Sequence, residues 1–249
     1  MQRSLERTLR QRIKRALPAY RFYCPVCDNY AREFLPATPE PRPNCVCPNC
    51  GSRERHRLTW LFLNRHSDLF EGRPKRVLHV AAERSLARRL GQVPGLDYLT
   101  ADLSSPAAMV QMDIMDIQFP EGSFDVILCS HVLEHVDDDR RAMGEFVRVL
   151  KPGGWALLLV PISVEATFED PSITDPALRK RLFGHPEHVR QYGMDFADRL
   201  AEAGFEVQVF HPADVATPAE LERAAILPTE WPLFYGVKPP AGAAESRAE

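Results

Sequence analysis

Two short knuckles, Cys24-Pro25-Val26-Cys27 and Cys47-Pro48-Asn49-Cys50, each offer two thiolates on a single turn, with nineteen residues between them. That spacing suits a tetrahedral zinc site closed by all four sulfurs. Proline at the second position of each knuckle fixes φ, and Gly51 suits the tight turn that follows. Pro36, Pro39, Pro41 and Pro43 make the intervening loop stiff and leave it without an apolar core, so a metal is expected to supply the missing stability. Cys45 is a fifth thiol, and either Cys45 or Cys47 could pair with Cys50. The repeated Cys-Pro-x-Cys form favours Cys47, which gives Cys24, Cys27, Cys47 and Cys50 as the expected ligands. His56 and His66 are further donors that four cysteines make unnecessary. The competing reading is a disulfide or a set of buried free thiols. No secretory signal is read, so a cytoplasmic, reducing location is expected and zinc is preferred. Cys129, in an apolar run, reads as a core thiol.

The remaining polar residues of interest fall just after strand-like runs. From Arg76 onward strand and helix patterns alternate. Strands are expected at 76–80, 96–101, 109–114, 124–129, 155–160, 205–210 and 233–238. Helices are expected at 84–91, at 137–151 before a Pro-Gly-Gly stop, and at 195–204. The alternation predicts an α/β fold, a Rossmann-like open and mostly parallel sheet whose ligands sit at the carboxyl ends of its strands. The points to watch are then His79 to Glu83, Asp102, Asp113, Ser130 to His135, and Pro161 onward. A further helix is expected just after the second knuckle, where 51–58 runs into Trp60, Leu61, Phe62 and Leu63.

Three phrases, in this order, carry a resemblance. They are Asp113-Ile114-Met115-Asp116-Ile117-Gln118-Phe119-Pro120-Glu121-Gly122-Ser123-Phe124-Asp125, His131-Val132-Leu133-Glu134-His135, and Arg148-Val149-Leu150-Lys151-Pro152-Gly153-Gly154. Over roughly residues 76–210 the chain resembles the class I S-adenosylmethionine-dependent methyltransferases, type 11-like. The resemblance implies S-adenosylmethionine as cofactor beside the zinc. It implies that Asp102, with Leu103 beside it, takes the ribose hydroxyls, that Asp113 meets the adenine amino group with Ile114 along the ring, and that Ser130 and His131 line the methionine end. Glu134 and His135, one turn further on, either extend that lining or are structural, a helix cap and a surface imidazole, the structural reading being preferred. The first loop departs from the family pattern. His79-Val80-Ala81-Ala82-Glu83-Arg84 has alanines where glycines are usual, small enough for close approach but costly at positive φ. Glu83 then stands in for the acid that meets the cofactor's ammonium group, with His79 and Ala81 beside it.

Methyl transfer needs alignment above all, and a general base only for a poor nucleophile. Candidates lie in the polar stretch Ile162 to Gly193, too long for an ordinary connector and read as a lid or acceptor wall. It holds Glu165, Glu169, Asp170 and His185, and His188, Arg190 and Tyr192 join His131 as the expected acceptor side. The acceptor itself is undefined: RNA, a small molecule or a sugar. The rival reading is a catalytically inactive, zinc-containing binding protein that keeps the fold.

Charge is uneven. Residues 1–76 hold 16 Lys or Arg against 7 Asp or Glu, a net of +9, and residues 77–249 hold 15 against 27, a net of −12. A basic leader fits RNA or another anionic partner, or a leader that docks on the acidic body. Leu5, Leu9, Ile13 and Leu17 repeat at four-residue steps among arginines, which reads as a basic amphipathic helix. The expected organisation is that helix over 1–20, a zinc module with a linking helix over 21–72, the methyltransferase domain over 73–238, and a disordered tail over 239–249. The longest apolar run, 155–161, is too short to span a bilayer, so a soluble chain is expected.

Overall fold

The protein is described by a computed structural model covering residues 19–38 and 42–240. The basic helix expected over 1–20 and the tail from Pro239 lie, but for two residues each, outside the described residues. The chain divides into two compact units that interleave in sequence. One gathers Met1–Arg73, Glu83–Val93 and His211–Glu230; the other gathers Pro74–Ala82, Pro94–Phe210 and Trp231–Glu249.

The first unit begins with two short antiparallel strands, β1 (Phe22–Cys24) and β2 (Asn29–Ala31). Helix α1 (Glu54–Arg65) follows the second knuckle, as its apolar run predicts. It buries Leu58, Trp60, Phe62 and Leu63 together with His56 and Arg57. Its N-terminus is satisfied by His56, whose Nδ1 accepts from Arg53 N at 3.2 Å. Helices α2 (Arg84–Leu90), α6 (Pro212–Val215) and α7 (Pro218–Arg223) belong to the same unit. The last two start on proline at the first turn, and Thr217 and Glu220 form a reciprocal cap on α7.

The second unit is built on a seven-stranded sheet. Its strands are β3 (Lys75–Val80), β4 (Leu96–Asp102), β5 (Val110–Gln111), β6 (Phe124–Ser130), β7 (Leu150–Leu159), β10 (Glu206–Phe210) and β11 (Leu233–Val237). The spatial order is β10-β11-β7-β6-β3-β4-β5. The pairs from β7 to β5 are parallel, and β11 and β10 add antiparallel at one edge. The mostly parallel sheet is therefore as expected. Val77, Leu78, Val126, Ile127, Leu128, Leu157 and Leu158 are buried regardless of alternation, as strands covered on both faces must be. Helix α3 (Asp139–Val149) buries Ala142, Met143, Phe146 and Val149, one stripe at helical spacing, behind an Asp138 cap on Arg141 N.

Three elements differ from expectation. The strand expected over 109–114 shrinks to Val110–Gln111, because Asp113 Oδ1 accepts from Met115 N at 2.8 Å and turns the chain out of the ladder. The helix expected to reach Lys151 ends at Val149, and Pro152-Gly153-Gly154 lies inside β7, where the pairing with β6 shifts register. Gly153 takes φ 76°, and a Cβ on Gly154 would meet Asp125 O at 2.9 Å, so this double glycine serves a bulge. Third, Ile162 to Gly193 is an ordered insertion. It holds helix α4 (Pro176–Phe183) and the antiparallel pair β8 (Phe168–Glu169) and β9 (Arg190–Gln191), and helix α5 (Phe196–Glu202) follows. No helix of the described residues is long and apolar enough to cross a membrane.

Candidate functional site

The chain leaves β3 for β4 and β5 on one side, then returns to β6 on the other side of β3. Such a reversal opens a crevice at the strands' carboxyl ends. A cavity of about 520 Å³ lies there, within the range of ligand sites. Its wall takes Ala81 after β3, Asp102 and Leu103 at the end of β4, Asp113 and Ile114 after β5, and His131 after β6. Six residues expected toward the cofactor thus meet at one cavity, although they are spread over fifty positions of sequence.

Each carboxylate is held by backbone. Asp102 Oδ1 accepts from Ser104 N at 2.9 Å and Ser105 N at 2.8 Å, and Asp113 Oδ1 holds Met115 N. The second oxygen of each makes no hydrogen bond within the described residues. Two oriented acceptors flanked by apolar Leu103, Ile114 and Met115 suit a ribose diol and a flat base, so the residues present fit the adenosyl group. His131 Nδ1 lies 3.1 Å from Glu134 Oε1, and its ring centroid is 5.1 Å from that of Trp231. His131 Nε2 and Glu134 Oε2 are buried without a partner in the described residues.

Backbone strain gathers at the same lip. Ala81 and His131 take φ of 47° and 56°, the left-handed region that costs a residue with Cβ about 1–2 kcal/mol. The glycine-poor loop therefore reaches the conformation a glycine would supply, and bears its cost. Ala81→Gly is expected to raise stability by about 1 kcal/mol in urea denaturation. A lower midpoint would show that the Ala81 methyl is a packing group.

Other expected site residues stand elsewhere. His79 is buried, with Nδ1 2.7 Å from Tyr98 Oη, and is not on the cavity wall. Ser130 is also absent from the wall. Glu83 belongs to the first unit, where its Oε1 lies 3.6 Å from His56 Nε2. Arg190 and Tyr192 are buried in a polar clamp. The Arg190 guanidinium donates to Leu133 O, Val136 O and Asp137 O, and to Glu169 Oε2 at 2.8 Å. Tyr192 Oη donates to Asp139 Oδ2 at 2.7 Å, and burial together with Asp139 pushes its phenol well above the ordinary value. Both hold the segment that carries His131 to Asp137. His188 is half-buried in an imidazole cluster. The insertion reaches the cavity through Glu187, which sequence reasoning missed; His135, read from sequence as a surface imidazole, also lines it.

In the first unit Cys24, Cys27, Cys47 and Cys50 form one cluster. Sγ to Sγ distances are 3.6 Å for Cys24 to Cys50 and 3.8 Å for Cys27 to Cys47. Ligands 2.3 Å from a tetrahedral zinc lie roughly 3.8 Å apart, whereas a disulfide needs about 2 Å. None of the six cysteines is in a disulfide. Within the cluster the shifts are split: hydrogen bonds from Cys24 and then Cys27 lower the Cys47 thiol to about 6 and those from Cys24, Cys27 and Cys47 lower Cys50, while Cys24 and Cys27 are raised. The donor set fits a zinc ion. Cys45 stays outside it: its thiol donates to Glu54 Oε2 at 2.8 Å and is pushed up to about 11 by burial and by Glu54. Arg57, fully buried, donates to Cys45 O, Ser52 O, Ala224 O and Ala225 O and so ties the second knuckle to the 211–230 segment. His56 is not a fifth donor, since it caps α1 and burial lowers it to about 4.

Residues 79–158 match the family described as a methyltransferase domain. Among curated proteins, a probable S-adenosylmethionine-dependent methyltransferase of Mycolicibacterium smegmatis is 33% identical over 142 residues, which are 53% of this chain and 50% of that protein. A demethylmenaquinone methyltransferase of Thermus thermophilus is 29% identical over 106 residues, 36% of this chain and 48% of that one. The chain spans about half the length of these relatives. A crystal structure of an S-adenosylmethionine-dependent methyltransferase from Mesorhizobium loti superposes with a TM-score of 0.49 at 18% identity, covering 72% of this chain and 97% of that one. The resemblance read from the motifs is borne out over residues 79–158, which match a methyltransferase domain, and an amino-terminal four-cysteine cluster precedes them.

Proposed function

We propose that the protein transfers a methyl group from S-adenosylmethionine to a small-molecule acceptor, and that its four cysteines hold a structural zinc ion. The observation that carries the first reading is the meeting of Asp102 and Asp113 at one cavity on the carboxyl ends of parallel strands. Asp102 is suited to the ribose hydroxyls and Asp113 to the adenine amino group. When bound, the cofactor supplies a methyl group on a sulfonium. The chain's own part is to orient the two reactants and exclude water. His131, on the cavity wall with Nε2 unpartnered, is suited to accept a proton from an oxygen or nitrogen acceptor. A small acceptor fits the charge distribution better than RNA does. The 77–249 stretch has a net charge of −12, which repels phosphates. In the first unit several cations are already spent internally, Arg57 on carbonyls and Arg65 on Glu220 at 2.6 Å.

Calorimetry with S-adenosylmethionine tests the reading. Two hydrogen bonds to a carboxylate are together worth about 3 kcal/mol, so Asp102→Ala should weaken binding about 100-fold. Asp102→Asn keeps the oxygen that Ser104 and Ser105 use, and should lose binding while keeping the fold. Equal affinity in all three proteins would refute the site. A filter-binding signal with RNA that falls steeply with salt would replace the small molecule with RNA.

A further inference from the structure

We propose that His135, His185 and His188 form a second metal site, for a divalent ion of the kind imidazole favours, zinc first, at the edge of the cofactor cavity. The inference goes beyond the methyltransferase reading and stands without it, because metal binding can be measured alone.

One nitrogen of each imidazole lies within 4.8 Å of the others. Ring centroids are 4.6 Å apart for His135 and His188, 5.0 Å for His185 and His188, and 5.7 Å for His135 and His185. Nitrogens bound at 2.0–2.1 Å to a tetrahedral ion lie roughly 3.3 Å apart. Ring rotations must close the difference: His135 and His185 are exposed, and His185 would give up the bond that its Nδ1 accepts from Glu187 N at 3.3 Å.

The backbone that carries the three is tied together. His135 ends a 3-10 turn, Leu133–His135. Gly184, at φ 84°, ends α4 and turns the chain into His185. Val189 N donates to Glu134 O at 2.9 Å, which fastens the loop with His185 and His188 to the turn with His135. Arg190, one residue further on, locks the same turn through Leu133 O and Val136 O. A site supported in this way needs little reorganisation to close on an ion.

His188 also has the partner that a ligating imidazole usually has. Its Nδ1 lies 3.0 Å from Phe183 O, a carbonyl that can only accept, so Nδ1 carries the proton and the Nε2 lone pair is left for a metal. Three protein ligands are the number found in zinc sites that keep a position open for water or substrate, whereas structural sites use four. His135 and Glu187 both line the cavity, which sets the cluster at its edge. The four-cysteine cluster and this one differ in donor chemistry, and spectroscopy can tell them apart.

The test uses the full untagged chain with its cysteine centre loaded with zinc. Cobalt(II) is titrated in at neutral pH and followed by absorbance and calorimetry. The expected result is one further equivalent of cobalt with weak visible bands and no thiolate-to-cobalt charge transfer. His185→Ala and His188→Ala should each raise its Kd by more than about 100-fold, while Cys45→Ser should not change it. His185 is exposed, so that variant keeps its fold and its thermal midpoint. Absence of a further equivalent, its persistence in both histidine variants, or a thiolate charge-transfer band would each overturn the site. Loss of S-adenosylmethionine binding in Asp102→Asn has no bearing on this result, so failure of either reading is told apart from failure of the other.

Discussion

Cys50→Ser should cost the chain one equivalent of zinc and unfold the amino-terminal module. Around the four sulfurs the described chain is two three-residue strands, a proline-rich loop and the second knuckle, whose buried side chains are mostly small: Val26, Ala31 and Ala37 beside Phe34. A structural zinc contributes about 10–16 kcal/mol of apparent binding free energy, comparable to the whole stability of most domains at about 5–15 kcal/mol. Losing one thiolate removes the closed tetrahedron and leaves three sulfurs crowded within one cluster. Metal analysis by mass spectrometry and amide hydrogen exchange read the two consequences together. Protection should vanish at 22–52 and persist in the strands β3 and β6. Cys45→Ser is the decisive control, because that thiol bonds Glu54 Oε2 and not the cluster. It should keep the full zinc content and lose at most about 1–2 kcal/mol for the broken hydrogen bond. Equal zinc content in Cys50→Ser and the parent chain would remove the metal from the module.

The contrast between Cys45 and Cys47 shows what was legible in the sequence and what was not. The repeat of Cys-Pro-x-Cys selects Cys47 by local pattern, and the cluster contains it. The partner of Cys45 is nine residues away on a helix, beyond any local rule. Strand-helix alternation likewise gave the parallel sheet, because buried strands write themselves as apolar runs, and a carboxyl-end rule then selected Asp102 and Asp113. The motif phrases mix cavity-lining residues, such as Asp113, Ile114 and His131, with structural ones. Asp125 Oδ2 accepts from Arg76 N and Lys151 Nζ, both at 2.8 Å, and Arg148 holds Ile117 O and Phe119 O. Residues that recur together in such phrases can thus be brackets of the sheet and not chemistry. The charged residues were the least legible. Arg57 bonds carbonyls 167 and 168 positions away, and nothing in a run of arginines marks which one will be buried. The same holds for Arg190, expected toward an acceptor because it stands in a polar insertion, and found 3% exposed.

That burial makes Arg190→Ala the most destructive single change expected in the second unit. The guanidinium serves three carbonyls of the segment from Leu133 to Asp137, pairs with Glu169 at 2.8 Å, and lies 3.7 Å from the buried Asp139. Truncation strands the carbonyls in the interior and leaves Asp139 to Arg199, at 3.2 Å, and Tyr192. Removing one partner of a buried pair costs about 3–5 kcal/mol, which for a domain of this size lowers the thermal midpoint by roughly 10 °C. Arg190→Lys should recover less than half of that loss, since an ammonium on a flexible stem cannot reach a carboxylate and three carbonyls in one plane. S-adenosylmethionine affinity should fall alongside, because the clamped segment carries His131, Val132, His135 and Val136 onto the cavity wall. A role at the acceptor predicts the opposite pattern: turnover lost with midpoint and cofactor affinity unchanged. Calorimetric melting of the alanine and lysine variants, measured with and without cofactor, decides between a clamp and a catalytic arginine.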